Sequence, residues 1–295
     1  MTTNMEKYIL KKRPNISNSS LKTYESILRN LYYKIFGKAD EPDLSKFEDS
    51  NKIIKFLKEL EPRKRKTVLS ALVIITDDDK YRELMLDDIK EYNKEEAKQK
   101  KTAVQKENWI ENDELINIYK ILKKNAELLY KKQHLTNNDY QEIQNFIILS
   151  LLGGFYIPPR RSKDYVDFKI KNIDKAINNY IGNNKLIFNS YKTNKFYGQQ
   201  QIDIPKELKS ILKKWIKKNP TEYLLFDTSL NPLTNVKLNQ RLNRLFGKKA
   251  SINQLRKSYL SNKYSDLIDK KNDLNDDMIK MGSSKIQENI YIKND

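Results

Sequence analysis

The chain of 295 residues contains no cysteine. Disulfide staples and thiolate metal sites are therefore excluded, and an intracellular setting suits such a sequence best. Histidine is almost as scarce. His134 is the single copy, in the polar connection Lys-Lys-Gln-His-Leu-Thr-Asn-Asn, and reads as a surface residue. A His-based metal centre or a Ser-His-Asp triad has almost nothing to build on. Long apolar runs are missing too. The longest, Phe146 to Ile157, is too short to span a bilayer, and the opening residues hold no apolar signal segment.

What is abundant is positive charge. Lys+Arg 57 against Asp+Glu 39 leaves +18 at neutral pH. An excess of this size argues for a polyanionic partner, and nucleic acid is the commonest. A solvated Lys-rich surface would give the same count, so the charge alone sets only an expectation. The 38% apolar content can build a core, and the length suits two domains or one large one.

Apolar spacing predicts a mainly α-helical chain. Residues 1–16 read as a loose basic arm. Ser17 to Ser20 offer caps for a helix through Leu21, Tyr24, Leu28, Leu31 and Ile35, which ends near Gly37. A second helix is expected over 50–60. A third follows Pro62 and carries Arg63, Lys64, Arg65 and Lys66 at its start, where basic side chains and a helix N-terminus suit phosphate contacts. A fourth is expected over 81–92. Residues 93–107 are charged and lack large apolar side chains, so they read as a linker, partly helical at most. The expected domains are 1–92 and 108–295.

Helical spacing resumes from Trp109. Asp113 and Asp139 are candidate caps for two helices, the second ending at Gly153-Gly154. Pro158-Pro159 forces a turn or an extended entry to Arg160-Arg161-Ser162-Lys163-Asp164. Strands are expected at Leu186–Ser190 and Gln200–Ile204, joined as a small β-hairpin by a basic tip from Lys192 to Gly198. Helices are then expected after Pro205, over Asn235–Phe246 and over Ser251–Tyr264. An acidic connection from Asp266 to Asp277 leads to Met281-Gly282-Ser283-Ser284 and, further on, Tyr291.

Four pieces of this chain carry a resemblance. They are Arg161-Ser162-Lys163-Asp164, Tyr191-Lys192-Thr193, Asn253-Gln254-Leu255-Arg256, and Gly282-Ser283-Ser284 followed by Tyr291. In order and spacing they resemble the catalytic segments of tyrosine recombinases, the phage-integrase-like family that cuts and rejoins DNA. The Pro-Pro-Arg-Arg-x-x-Asp form is similar to integrases of large DNA viruses and their virophages. The resemblance spans roughly residues 15–291 and is specific from about 150 onward.

The resemblance implies an N-terminal helical DNA-binding domain and a catalytic domain with a small β-hairpin. It implies a 3′-phosphotyrosine intermediate, with no metal, ATP or other cofactor. Tyr291 would attack the scissile phosphate, Arg161 and Arg256 would hold it, and Asp164 would buttress Arg161. A Tyr hydroxyl ionises near ~10, so its proton must be drawn off as it attacks. Arg suits the phosphate because its planar fork stays charged when desolvated. Lys192 would protonate the departing oxygen, with Lys195 as its competitor. Arg160, Lys195 and Lys257 join the basic run at 63–66 as expected DNA contacts. Asn253 and Ser283 stand where the family usually has His. Both side chains can hydrogen-bond a phosphate oxygen, and neither accepts a proton near neutral pH. The implied assembly is a homotetramer on two double-stranded DNA sites, off the membrane and wherever the DNA is, nucleus or viral factory. A catalytically silent DNA-binding protein of the same fold and a type IB topoisomerase are the alternatives.

Overall fold

A computed structural model describes residues 3–281. Ser283 and Tyr291 therefore lie outside the described residues. The chain divides into two compact units, Met1–Lys101 and Thr102–Asp295.

The first unit is all helical. It comprises α1 (Asn4–Lys12), α2 (Asn18–Phe36), a 3-10 turn (Leu44–Glu48), α3 (Ser50–Leu57), α4 (Pro62–Thr76) and α5 (Asp79–Ala97). Ser17 caps α2 by accepting from the Ser20 amide, as its position before the apolar repeat predicts. The expected loose arm is instead α1. Thr3 and Glu6 form a reciprocal capping box, and Met5 and Ile9 are buried. The arm's polar composition hid two apolar side chains at helical spacing. Leu28, Phe47, Ile53, Leu57, Leu69 and Tyr81 complete the centre of this core. The charged stretch after residue 92 continues α5 as far as Ala97.

The second unit surrounds α8 (Asn137–Leu152), which is buried on nearly every face from Ile143 onward. Before it come α6 (Ala103–Glu107) and α7 (Asn112–Leu129), and after it the short α9 (Lys163–Val166). The strands are β1 (Tyr180–Gly182), β2 (Lys185–Phe188) and β3 (Gln200–Asp203), with α10 (Asn194–Tyr197) between the last two. They form one antiparallel sheet in the order β1-β2-β3, with Leu186 opposite Ile202 and Phe188 opposite Gln200. The expected hairpin is therefore present. Its third strand, β1, was not foreseen. Asn183 and Asn184, both at positive φ, make the tight β1–β2 turn that Asn favours. The chain continues through α11 (Lys206–Lys218), α12 (Asn235–Phe246) and α13 (Ile252–Lys280).

Three details differ from expectation. Glu111 stands at the N-cap of α7, and Asp113 lies inside its first turn. Thr136 caps α8, while the Asp139 carboxylate accepts from the Thr136 amide at 2.9 Å. Asp139 is thus the return arm of a capping box. The acidic segment 266–277 is helical, because α13 runs on past a break at Tyr264 (φ −130°, ψ 21°). No helix among the described residues is long and apolar enough to cross a membrane.

Candidate phosphate-binding site

One cavity of about 410 Å³ in the second unit brings together three of the singled-out residues, Arg160, Arg161 and Arg256, with Asp164. It is lined by Pro158, Pro159, Arg160, Arg161, Asp164, Tyr191, Thr193, Tyr197, Gln200, Ile202 and Arg256. Three segments far apart in sequence supply it. The turn after α8 brings both arginines, the β2–β3 connection brings Tyr191 to Tyr197, and the first turns of α13 bring Arg256.

The two adjacent arginines have different surroundings. Arg160 is bound on every side. Its Nε donates to Asp164 Oδ2 at 2.8 Å and its Nη1 donates to Gln200 Oε1 at 2.7 Å. Its guanidinium carbon lies 4.0 Å from the Phe188 ring centroid and 5.1 Å from that of Tyr191. Sequence spacing gave Asp164 to Arg161. The geometry gives it to Arg160, because i,i+4 partners meet across the short α9 turn. The Arg161 side chain makes no hydrogen bond or ion pair among the described residues; half-buried, it lines the cavity.

Arg256 completes the cluster. Its Nη1 donates to Asn253 Oδ1 at 3.4 Å, one helical turn earlier. Burial lowers its pKa from the ordinary guanidinium value. Arg161 and, more weakly, Arg160 push the same way, while Asp164 opposes them. The Asp164 carboxyl is raised by burial, against the pull of Arg160, Arg161 and Arg256, and its Oδ1 has no hydrogen-bond partner. Three guanidinium groups thus share one buried carboxyl. A bound anion would relieve the repulsion between Arg161 and Arg256 and use the donors that Arg161 presents.

The remaining singled-out residues are more dispersed. Lys192 is exposed and lies between Tyr191 and Thr193, which both line the cavity, but it does not line the cavity itself. Lys195 is exposed on α10, and Lys257 and Asn253 are exposed on α13. His134 is exposed in the connection before α8. In the first unit, Arg65 is committed to the fold. Its Nη2 lies 2.5 Å from Asp88 Oδ1, and the Asp88 side chain is buried. Lys66 and Arg63 sit over the Tyr92 ring, and Lys64 is exposed beside Glu61.

Two supporting residues escaped the sequence reading. Gln200 fixes the outer end of Arg160. The Asn179 carboxamide donates to the carbonyls of Asp164 (2.9 Å) and Ser190 (2.8 Å), and accepts from the amides of Asn189 and Ser190 (2.8 Å each). It ties the arginine turn to the root of the β2–β3 connection. A lone Asn among Asn-rich segments gives no sign of this in the sequence.

No protein-family model and no curated protein matches the sequence. Among solved structures the chain is similar to a lambda integrase (75–356) dimer bound to a COC′ core site, at 14% identity over 89% of this chain and 88% of that one, with a TM-score of 0.45. It is similar to XerA recombinase at 11% identity over 89% and 84%, with a TM-score of 0.35. XerH site-specific recombinase bound to its difH substrate stands at 14% over 89% and 84%, with a TM-score of 0.38.

Proposed function

We propose that this chain is a tyrosine recombinase, a metal- and ATP-independent enzyme that cleaves and rejoins double-stranded DNA through a 3′-phosphotyrosine. One observation carries the reading. Arg161 and Arg256, from distant segments, line one cavity beside a buried acid, and the Arg161 side chain has no hydrogen-bond or ion-pair partner among the described residues. A phosphodiester supplies the anion that such a cluster lacks.

In this reading Arg161 and Arg256 hold the scissile phosphate and stabilise the added charge on phosphorus. The Tyr291 oxygen forms the new bond to phosphorus while the bond to the 5′ oxygen breaks. Lys192 gives that leaving oxygen its proton. Asn253 steadies Arg256, and Asn253 and Ser283 donate hydrogen bonds to phosphate oxygens. With no His at either position, the Tyr291 proton passes to a phosphate oxygen or water. Arg63, Lys64 and Lys66 of the first unit, with Lys195 and Lys257, contact the DNA backbone. The working assembly is a homotetramer on two sites, as an integrase of the kind carried by large DNA viruses and virophages.

The experiment is a nicked suicide duplex, which traps the covalent protein–DNA adduct. The intact protein should form an adduct that Tyr291→Phe does not. Asn253 and Ser283 favour a second reading, a silent DNA-binding protein of the same fold. Tight duplex binding with no adduct from the intact protein would select it. Relaxation of supercoiled plasmid without a preferred site would point to a type IB topoisomerase.

A further inference from the structure

The β2–β3 connection presents two aromatic rings to solvent. Phe196 is 84% exposed and Tyr197 is 69% exposed, both on α10. A single exposed aromatic residue needs no explanation. This pair is set apart by its neighbourhood. Lys192 and Lys195 precede it in the same connection, both exposed, and Tyr197 also lines the cavity of Arg161 and Arg256.

The tip is also built rather than trailing. The Tyr191 hydroxyl donates to the Gly198 carbonyl at 2.7 Å. Asn194 Nδ2 donates to the Asn189 carbonyl at 3.0 Å, and Gln199 Nε2 donates to Asn189 Oδ1 at 2.8 Å. Gly198 closes α10 at φ +61°, ψ −155°, a conformation that belongs almost entirely to glycine. The Phe196 and Tyr197 amides both donate to the Thr193 carbonyl. The backbone therefore pays for a fixed loop whose most apolar side chain faces water.

We infer that Phe196 is a stacking wedge that enters the DNA base stack beside the phosphate held by Arg161 and Arg256, with Lys195 gripping the backbone next to it. The inference rests on the recombinase reading above. A flat apolar ring gains little from a phosphate and much from a base face, and apolar wedges of this kind open base steps. The cation supplies attraction for any sequence, while the ring senses how easily a step unstacks. The wedge would thus favour deformable steps next to the cut, a selectivity that hydrogen bonds to base edges do not provide.

The test uses the full-length protein and two short duplexes that are identical except for a central abasic site. The abasic duplex offers a ready gap for a ring. The intact protein should bind it about tenfold more tightly than the paired duplex. Phe196→Ala should bring the two affinities together, with an unchanged thermal melt because the ring is 84% exposed. Lys195→Ala should weaken both and keep their ratio. Equal affinity of the intact protein for the two duplexes would overturn the inference, and so would a preference that survives Phe196→Ala. Failure to bind either duplex would overturn the recombinase reading itself, and the wedge with it.

Discussion

Arg160 and Asp164 form a largely buried ion pair, Nε to Oδ2 at 2.8 Å, directly beside an arginine that has no such partner among the described residues. Neighbours in sequence thus divide the labour, one holding the turn and the other facing the cavity.

Alanine substitution should separate these roles. Arg160→Ala leaves a buried carboxyl unpaired and should cost about 3 kcal/mol of stability at neutral pH. Arg161→Ala should change stability by no more than about 0.5 kcal/mol. It should nevertheless lower adduct formation by at least ~100-fold, through loss of charge stabilisation. Urea unfolding and the suicide-duplex assay check the two effects. Equal destabilisation by both would refute the division.

Asp164 should also leave a mark on the pH dependence of folding. Burial raises its carboxyl above the ordinary value despite three nearby guanidinium groups. A carboxyl raised in the folded state contributes stability below its unfolded pKa of ~4, and that stability is lost as pH rises through the folded value. Over that window the intact protein should lose ground to Asp164→Asn. Arg160→Ala, which removes the nearest opposing charge, should move the window upward. Stability curves of the intact protein and Asp164→Asn that stay parallel across the acid range would contradict the burial argument.

The basic run at the start of α4 should split in the same way. Arg65→Ala removes the partner of buried Asp88 and should destabilise the first unit by about 3 kcal/mol. Arg63→Ala and Lys66→Ala should spare the fold and weaken duplex binding. Each should reduce the slope of log affinity against log salt by about one. A full salt slope in the double variant would remove these residues from the interface.

Gly154 tests how the site is braced. Its φ is +78°, and an added Cβ would stand 2.3 Å from Tyr259 Cδ2. Tyr259 follows Arg256 by about one turn of α13. Gly154→Ala should therefore cost roughly 2–4 kcal/mol from strain and overpacking, and should depress adduct yield by displacing Arg256. A variant with wild-type melting and activity would show that the helix moves aside freely.

Much of this architecture is legible in the sequence, for identifiable reasons. Helices with a clear apolar repeat and a side-chain cap, such as α2 after Ser17 and α12 over Asn235–Phe246, are plain because local and tertiary preferences agree. The hairpin is plain because alternation is interrupted by a basic, Gly-ended tip. The short α1 and the three-residue β1 are not: in α1 polar neighbours mask the spacing of Met5 and Ile9, and β1 is too short to show an alternation. At the cavity, spacing leads to Arg161 and Arg256, which the fold brings together, and assigns Asp164 to the wrong arginine. An Arg-x-x-Asp count cannot see that Phe188, Tyr191 and Gln200, from another segment, claim the first arginine and leave the second one available. The lines drawn to Ser283 and Tyr291 rest on sequence alone.

Asn179 has a mechanical consequence. A single amide group is the common fulcrum for the turn that carries Arg161 and the loop that carries Lys192. The turn and the loop are thus hydrogen-bonded to one side chain, which is the coupling between them. Exchanging that amide for a carboxylate would leave two carbonyl oxygens facing an acceptor, and the coupling would fail at its pivot while both arms stayed chemically intact.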